Sequence, residues 1–371
     1  MIHISPCRRF VAAGSEPAAL ARYQAYRSWR SLGITKTANR TRQTTWRNLG
    51  RAGRDKMLRH PMHWRLKGAI QRALGQLPFG DQLHHRLQMR FGGLSQFTDE
   101  LARKIEDWAL MARQLEEAGV PVSNARFMEI GTGWYPTFPL CLYLAGAKSV
   151  MTVDLNRHLR QNLTLRMTDA LGRYLPVIAE VSGRSEGELQ RLQRELVSAI
   201  RRNAGLDDAT GGVVTYCAPC DASATDLPVD SVDVVFSNSV LEHVPAPVIS
   251  RCFVEARRIL RLGGVMFHSV NCGDHYAYVD RTIHQLNYLR FSDADWRRWN
   301  NKFLYQNRLR AVDFVDMARA AGFTIEVDSS RPHPKRLQQL QTISVAPEFA
   351  RYTREQLAIT SIDFIGRKLA G

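Results

Sequence analysis

Glu129-Ile-Gly131-Thr-Gly133 places two closely spaced glycines directly after an apolar run, so backbone can approach a ligand with no side chain in the way. Pro136 follows where a helix would start. Taken alone, such a turn is equally a tight connection. Asp154 ends the next apolar run, 25 residues after Glu129. One ionised carboxylate there can accept from both hydroxyls of a ribose, or it can cap a helix beginning at Asn156. Asp221 lies in Cys217-Ala-Pro-Cys220-Asp221-Ala222, where an acceptor beside a small residue suits the amine and edge of an adenine. Two polar loops come later: Ser237-Asn238-Ser-Val-Leu-Glu242-His243, and Asn271-Cys272-Gly273-Asp274-His275. A neutral imidazole suits general base work at cytoplasmic pH, which makes His275 and His243 the candidates for taking a proton. His243 can equally brace its loop, whereas His275 has Asp274 beside it and Asp280 nearby.

Cys217 and Cys220 form a lone Cys-x-x-Cys pair with no second pair, so they are expected to pack, and no metal is expected. A Ser, His and Asp set with an elbow-type glycine context is missing, which argues against hydrolase chemistry.

Short apolar runs alternating with helical patterns from Arg126 onward would position these residues, a grammar that signals a parallel sheet. The expected strands are 127–130, 149–154, 213–217, 232–237, 264–270, 323–328 and 340–346. Helices are expected at 136–145, 157–175, 186–204, 248–260 and 310–321, with none between the last two strands. The fold class is therefore α/β, a doubly wound, mostly parallel seven-stranded sheet, with its ligand edge at the carboxyl ends of the strands. Ahead of it, Leu66, Ile70, Leu74 and Leu77 recur at helical spacing opposite Arg65, Lys67 and Arg72. A second helix carries Leu83, Leu87 and Phe91, and a third carries Leu101, Ile105, Trp108, Ala112 and Leu115, with Thr98 or Asp99 as N-cap and Gly119 as its stop. The domains read as a basic, weakly patterned extension over 1–60, a helical lid or brace over 61–120, and a catalytic domain over 121–371. Within the last, about 274–310 is a polar, aromatic acceptor lid holding Tyr276, Tyr278, Tyr288, Trp296, Trp299 and Tyr305. Aromatic faces with nearby Asp, Asn and Arg suit a sugar ring, and they also suit plain loop packing.

Together these stretches resemble the successive motifs of class I S-adenosylmethionine-dependent methyltransferases, particularly the type 11 group, over about Arg126 to Ala346. The later run Ala256-Arg-Arg-Ile-Leu260-Arg-Leu-Gly263-Gly264 resembles the family's helix and turn before its fifth strand. The resemblance implies that Glu129, Gly131 and Gly133 line the methionine half of S-adenosyl-L-methionine, that Asp154 holds the ribose, and that Asp221 and Ala222 meet the adenine. It places the loop from Ser237 to His243, with Asn238, beside the sulfonium and acceptor. Many members have a third glycine where this chain has Trp134, Tyr135 and Pro136. A nicotinamide site would suffer more from that loss, because its third glycine lets helix meet strand beneath a pyrophosphate. Trp134 or Tyr135 can offer a π face to a cation, or pack under the N-terminal helices. His-Tyr-Ala-Tyr-Val-Asp280-Arg and Tyr305-Gln-Asn-Arg308-Leu-Arg310 look like methyltransferases found with bacterial surface-glycan synthesis. The implied reaction is O-methylation of a saccharide, glycolipid or similar small polar acceptor.

The composition is that of an ordinary globular protein, with 44% hydrophobic and 23% charged residues. Six scattered cysteines and no uncharged apolar run of about 18 residues suit a cytoplasmic protein without a transmembrane segment. The net charge of +16 is concentrated: residues 1–80 hold 16 Lys and Arg against Glu16 and Asp55. That block calls for an anionic partner, either RNA as an alternative acceptor or a membrane surface to which the enzyme docks.

Overall fold

The computed structural model describes residues 63–77, 97–301 and 303–370. Residues from Pro61 onward form a unit of their own. The basic extension and the expected helix around Leu83, Leu87 and Phe91 lie outside the described residues.

Seven strands build one sheet: β1 (Arg126–Ile130), β2 (Ser149–Val153), β3 (Val214–Cys217), β4 (Val232–Asn238), β5 (Leu260–Asn271), β6 (Thr324–Asp328) and β7 (Ser361–Arg367). Their spatial order is β3-β2-β1-β4-β5-β7-β6, with β7 antiparallel to both neighbours and the remaining pairs parallel. Alternate side chains serve opposite faces, as the pleat dictates. Phe127, Val234, Phe236, Val265 and Phe267 join one core, while Met128, Val235 and Met266 join the other. The first core is covered by α2 (Phe97–Glu117), α3 (Thr137–Leu144), α4 (Gln161–Leu171), α5 (Leu175–Ser182) and α6 (Glu186–Arg201), and followed by the single turn α7 (Leu206–Ala209). The second is covered by α8 (Ala246–Ile259) and α10 (Ala311–Ala320), with α9 (Asp293–Trp296) in the lid between them. A third, smaller core joins lid residues Tyr276, Leu286, Tyr288 and Trp296 to Trp64, Leu340 and Phe349.

Several expectations need correcting. The seventh strand is not 340–346, because Pro334–Leu340 forms helix α11 and the next apolar residues, Ile343 and Val345, dock on the third core. The strand that enters the sheet is Ser361–Arg367, after α12 (Arg354–Ala358). The helix expected over 157–175 is two, interrupted at Gly172 and restarted with Pro at its first turn. Finally, the first helix, α1 (Trp64–Gly75), turns a different face inward: Trp64, Gly68, Gln71 and Leu74 are buried, whereas Leu66, Ile70 and Leu77 are exposed. Close approach decides this. A Cβ on Gly68 would come within 2.9 Å of the Tyr276 hydroxyl, so only that face can sit so near the lid. The third expected helix keeps its buried five-residue stripe and its stop, Gly119 at φ +73°, but it begins at Phe97, so Thr98 and Asp99 lie in its first turn and not at the N-cap.

Candidate active site

In the order β3-β2-β1-β4-β5 the sequence of strand addition reverses between the parallel neighbours β1 and β4, and the crevice at such a switch point is where open α/β sheets bind ligands. Parallel register pairs Ile130 with Val153 and Val153 with Cys217, so Gly131, Asp154 and Ala218 emerge together at the carboxyl edge. Gly131 has φ +86°, and a Cβ there would lie 2.5 Å from Val240 Cγ2 of the loop after β4. Gly133 has φ +74°, and a Cβ there would meet nothing within 4 Å, which leaves room for a ligand against the turn.

Two carboxylates face this room. Glu129 is buried and accepts from the Thr152 hydroxyl, which also pairs with Thr132. Burial pushes the Glu129 carboxyl up to about 8, against the pull of Thr152 and of the Lys104 ammonium. Asp154 accepts from Gly133 N at 3.2 Å and from the Tyr216 hydroxyl at 3.1 Å, so it is not the cap of the following helix, which starts at Gln161. Burial raises Asp154 to about 6. Lys104, half-buried on α2, sits 4.4 Å over the Tyr135 ring, and burial lowers its pKa while Glu100, Glu129, Asp107 and Asp154 hold it up. Tyr135 is thus packed between Lys104 and Phe97, whereas Trp134 lies beside His158 and Arg160.

Asp221 is exposed, and one of its oxygens holds Ser223 N at 2.8 Å and Ser223 Oγ at 2.7 Å, bonds that keep it below the usual carboxylate range. Ala222 packs with Cys217 and Cys220 against the second core, as expected of that cysteine pair. Asn238 closes β4 in register with Ser269 of β5.

The second group of residues gathers one strand further along. His243 closes a single 3-10 turn, Leu241–His243, and His275 opens another, His275–Tyr278. Their rings are 5.0 Å apart, so the structure brings both candidates together. His243 Nδ1 faces the Tyr305 carbonyl at 2.7 Å, which leaves Nε2 as its free nitrogen. His275 Nε2 is buried without a hydrogen bond. Desolvation of the packed rings lowers both imidazoles, His275 to about 3, although His243 keeps an edge open to solvent. The acids near His275 in sequence do not serve it. Asp274 caps Tyr276 N and binds the Asn287 amide at 2.9 Å, and Asp280 accepts from Trp64 N at 3.0 Å and from Thr282. The carboxylate that does reach the histidines is Glu242, buried, with ligating atoms of all three residues within 4.8 Å of one another.

The lid aromatics divide. Tyr276, Tyr288 and Trp296 are spent on the third core, while Tyr278 and Tyr305 stay exposed next to the histidines, with Asn271 bonded to the Tyr278 hydroxyl. The run from Tyr305 to Arg310 clamps both loops. Gln306 Nε2 donates to the Gly273 carbonyl at 2.5 Å, and Asn307 Nδ2 donates to the carbonyls of Leu241 at 2.6 Å and Val244 at 2.7 Å. Arg310, wholly buried, donates to the carbonyls of Cys272 at 2.8 Å and Leu357 at 3.1 Å, to Ile359 and to Tyr288.

Thr152, Tyr216, Lys104, Glu242 and Asn307 were not singled out from the sequence. Glu242 and Asn307 stood inside quoted motifs without a role of their own, and Lys104 left a trace as a charge inside the apolar stripe of its helix, three residues after Leu101 and four before Trp108.

Residues 192–268 match the family described as Methyltransferase domain. Among curated proteins none matches the sequence. Similar solved structures include an S-adenosylmethionine dependent methyltransferase from Mesorhizobium loti, 17% identical, covering 69% of this chain and 96% of that one with a TM-score of 0.38. A methyltransferase from Methanosarcina mazei is 16% identical over 67% of this chain and 94% of its own, with a TM-score of 0.38. A putative sarcosine dimethylglycine methyltransferase from Galdieria sulphuraria is 15% identical over 72% and 86%, with a TM-score of 0.39. The matched stretch runs through β3, β4 and most of β5, the strands that carry Asp221 and the histidine loop, within the doubly wound, mostly parallel seven-stranded sheet.

Proposed function

We propose that this chain, with S-adenosylmethionine as its cofactor, O-methylates a hydroxyl of a small polar acceptor, a saccharide or glycolipid intermediate being the class its mouth suits. The observation that carries this reading is that the glycine turn with its two carboxylates and the paired histidines share one sheet edge, with Tyr278, Tyr305 and Asn271 lining the outer side. Bound S-adenosylmethionine supplies an electrophilic methyl group on a sulfonium. Glu129 would hold the ammonium of its methionine part beside Gly131 and Gly133, Asp154 the ribose hydroxyls, Asp221 and Ala222 the adenine, and Asn238 the region of the sulfonium. His243 or His275 receives the acceptor's hydroxyl proton at Nε2. Little else is asked of side chains, because alignment and exclusion of water carry most of the acceleration. Calorimetry tests the cofactor assignment: Asp154→Ala should weaken S-adenosylmethionine binding at least tenfold, and unchanged affinity would overturn it. Labelled methyl should appear in the saccharide fraction of extracts; label in RNA instead would move the acceptor to nucleic acid.

A second reading concerns where the enzyme works. α1 turns Leu66 and Ile70 outward between Arg65 and Arg72, with the exposed Leu77 just beyond its end, a basic amphipathic face that suits an anionic membrane surface. Among the described residues no helix is long and apolar enough to cross a membrane.

A further inference from the structure

Glu242 is only 2% exposed, yet no side chain reaches either carboxylate oxygen, and the backbone amides of Glu242 and Asn271 lean on it without closing a well-formed hydrogen bond. Buried carboxylates are ordinarily paired or bound to a cation, since an uncompensated one is costly. Its surroundings supply the missing half of a site. His275 Nε2 is also buried and unpartnered, and His243 is fixed through Nδ1 to the Tyr305 carbonyl, the second contact that commonly orients a metal-bound imidazole. From these contacts we infer that Glu242, His243 and His275 form a site for one divalent first-row transition cation, of the Zn2+ or Mn2+ type, whose open positions take the acceptor's hydroxyl. Ligands around such an ion stand about 2.0–2.2 Å from it, so atoms now within 4.8 Å of one another need only small side-chain rotations to close on it. Two imidazoles favour a transition ion over Mg2+, and three protein ligands leave room for an outside oxygen. The exposed His243 supplies the way in. The ion's contribution would be to bind the hydroxyl oxygen, weaken its O–H bond and release the proton to water, leaving an oxygen lone pair for the methyl group. In that case the two histidines act as ligands, and water replaces them as proton acceptor. This role rests on the methyl-transfer reading, but the site itself rests on geometry alone.

Chelator-treated full-length protein, titrated separately with Zn2+ and Mn2+ by calorimetry, should bind one ion per chain, and the ion should raise the melting temperature. His275→Ala and Glu242→Gln should each weaken binding roughly tenfold or more and abolish the thermal shift. Glu242→Gln keeps the buried shape, and circular dichroism confirms that it folds. If no ion binds, or if both variants bind as wild type does, the site is refuted. Titrating S-adenosylmethionine into the same samples separates the two readings: cofactor binding without ion binding sinks this site alone, and ion binding without cofactor binding sinks the function instead.

Discussion

Gly131 answers to two constraints at once, a positive φ and a neighbour too close for any side chain. Gly131→Ala should therefore cost about 1–3 kcal/mol or more in urea denaturation and weaken cofactor binding, because Val240 must shift. Gly133→Ala bears only the backbone strain and should be milder, since its Cβ meets open space. The carboxylates give a pH signature. Glu129 near 8 and Asp154 near 6 are both held up by burial in the free pocket, while an ammonium and hydroxyl donors favour their charged forms. Cofactor binding should thus release protons, and affinity should climb from about pH 5 to about pH 8 and then level. Calorimetry in buffers of different ionisation enthalpy checks this, and pH-independent affinity would refute it. These residues were legible because a strand-end carboxylate and a glycine turn are local signals. Thr152 and Tyr216 were not, because parallel register, and nothing in their own segments, brings them to Glu129 and Asp154.

The same contrast holds for whole elements. Strands with strong apolar runs stood out, but 361–367 carries Asp363 and Gly366 inside its run and was passed over for the apolar residues near 343. The face of α1 was misread because the helical wheel favours Leu and Ile, whereas contact with the lid favours a glycine. Nor does spacing reveal what Tyr305 to Arg310 does, since most of its partners are backbone carbonyls of distant loops. Asn307→Ala removes two bonds from the Leu241–Val244 turn and should cost about 1–3 kcal/mol. Turnover should fall with cofactor affinity unchanged, a split that kinetics and calorimetry together would reveal. Arg310→Lys should lower the melting temperature although it keeps the charge, because an ammonium cannot reach carbonyls in several directions as a guanidinium does.

At the scale of the chain, the unit from Pro61 onward holds both the pocket and the cores. A fragment 61–371 should fold with the same melting temperature and bind cofactor as the full protein does; loss of binding would show that the extension completes the pocket. Vesicles with anionic lipid should retain more protein than neutral ones, and Ile70→Gln should reduce that retention. Equal retention on both vesicles would remove the membrane reading. The third core has a further consequence. Trp64, Tyr276, Tyr288 and Trp296 are locked together, each worth about 1.5–3 kcal/mol when buried, so a hinged swing of the whole lid would forfeit several such terms at every cycle. Under the proposed function an acceptor would therefore come in sideways, past the exposed Tyr278 and Tyr305, through rotation of rings at a doorway whose frame stays fixed.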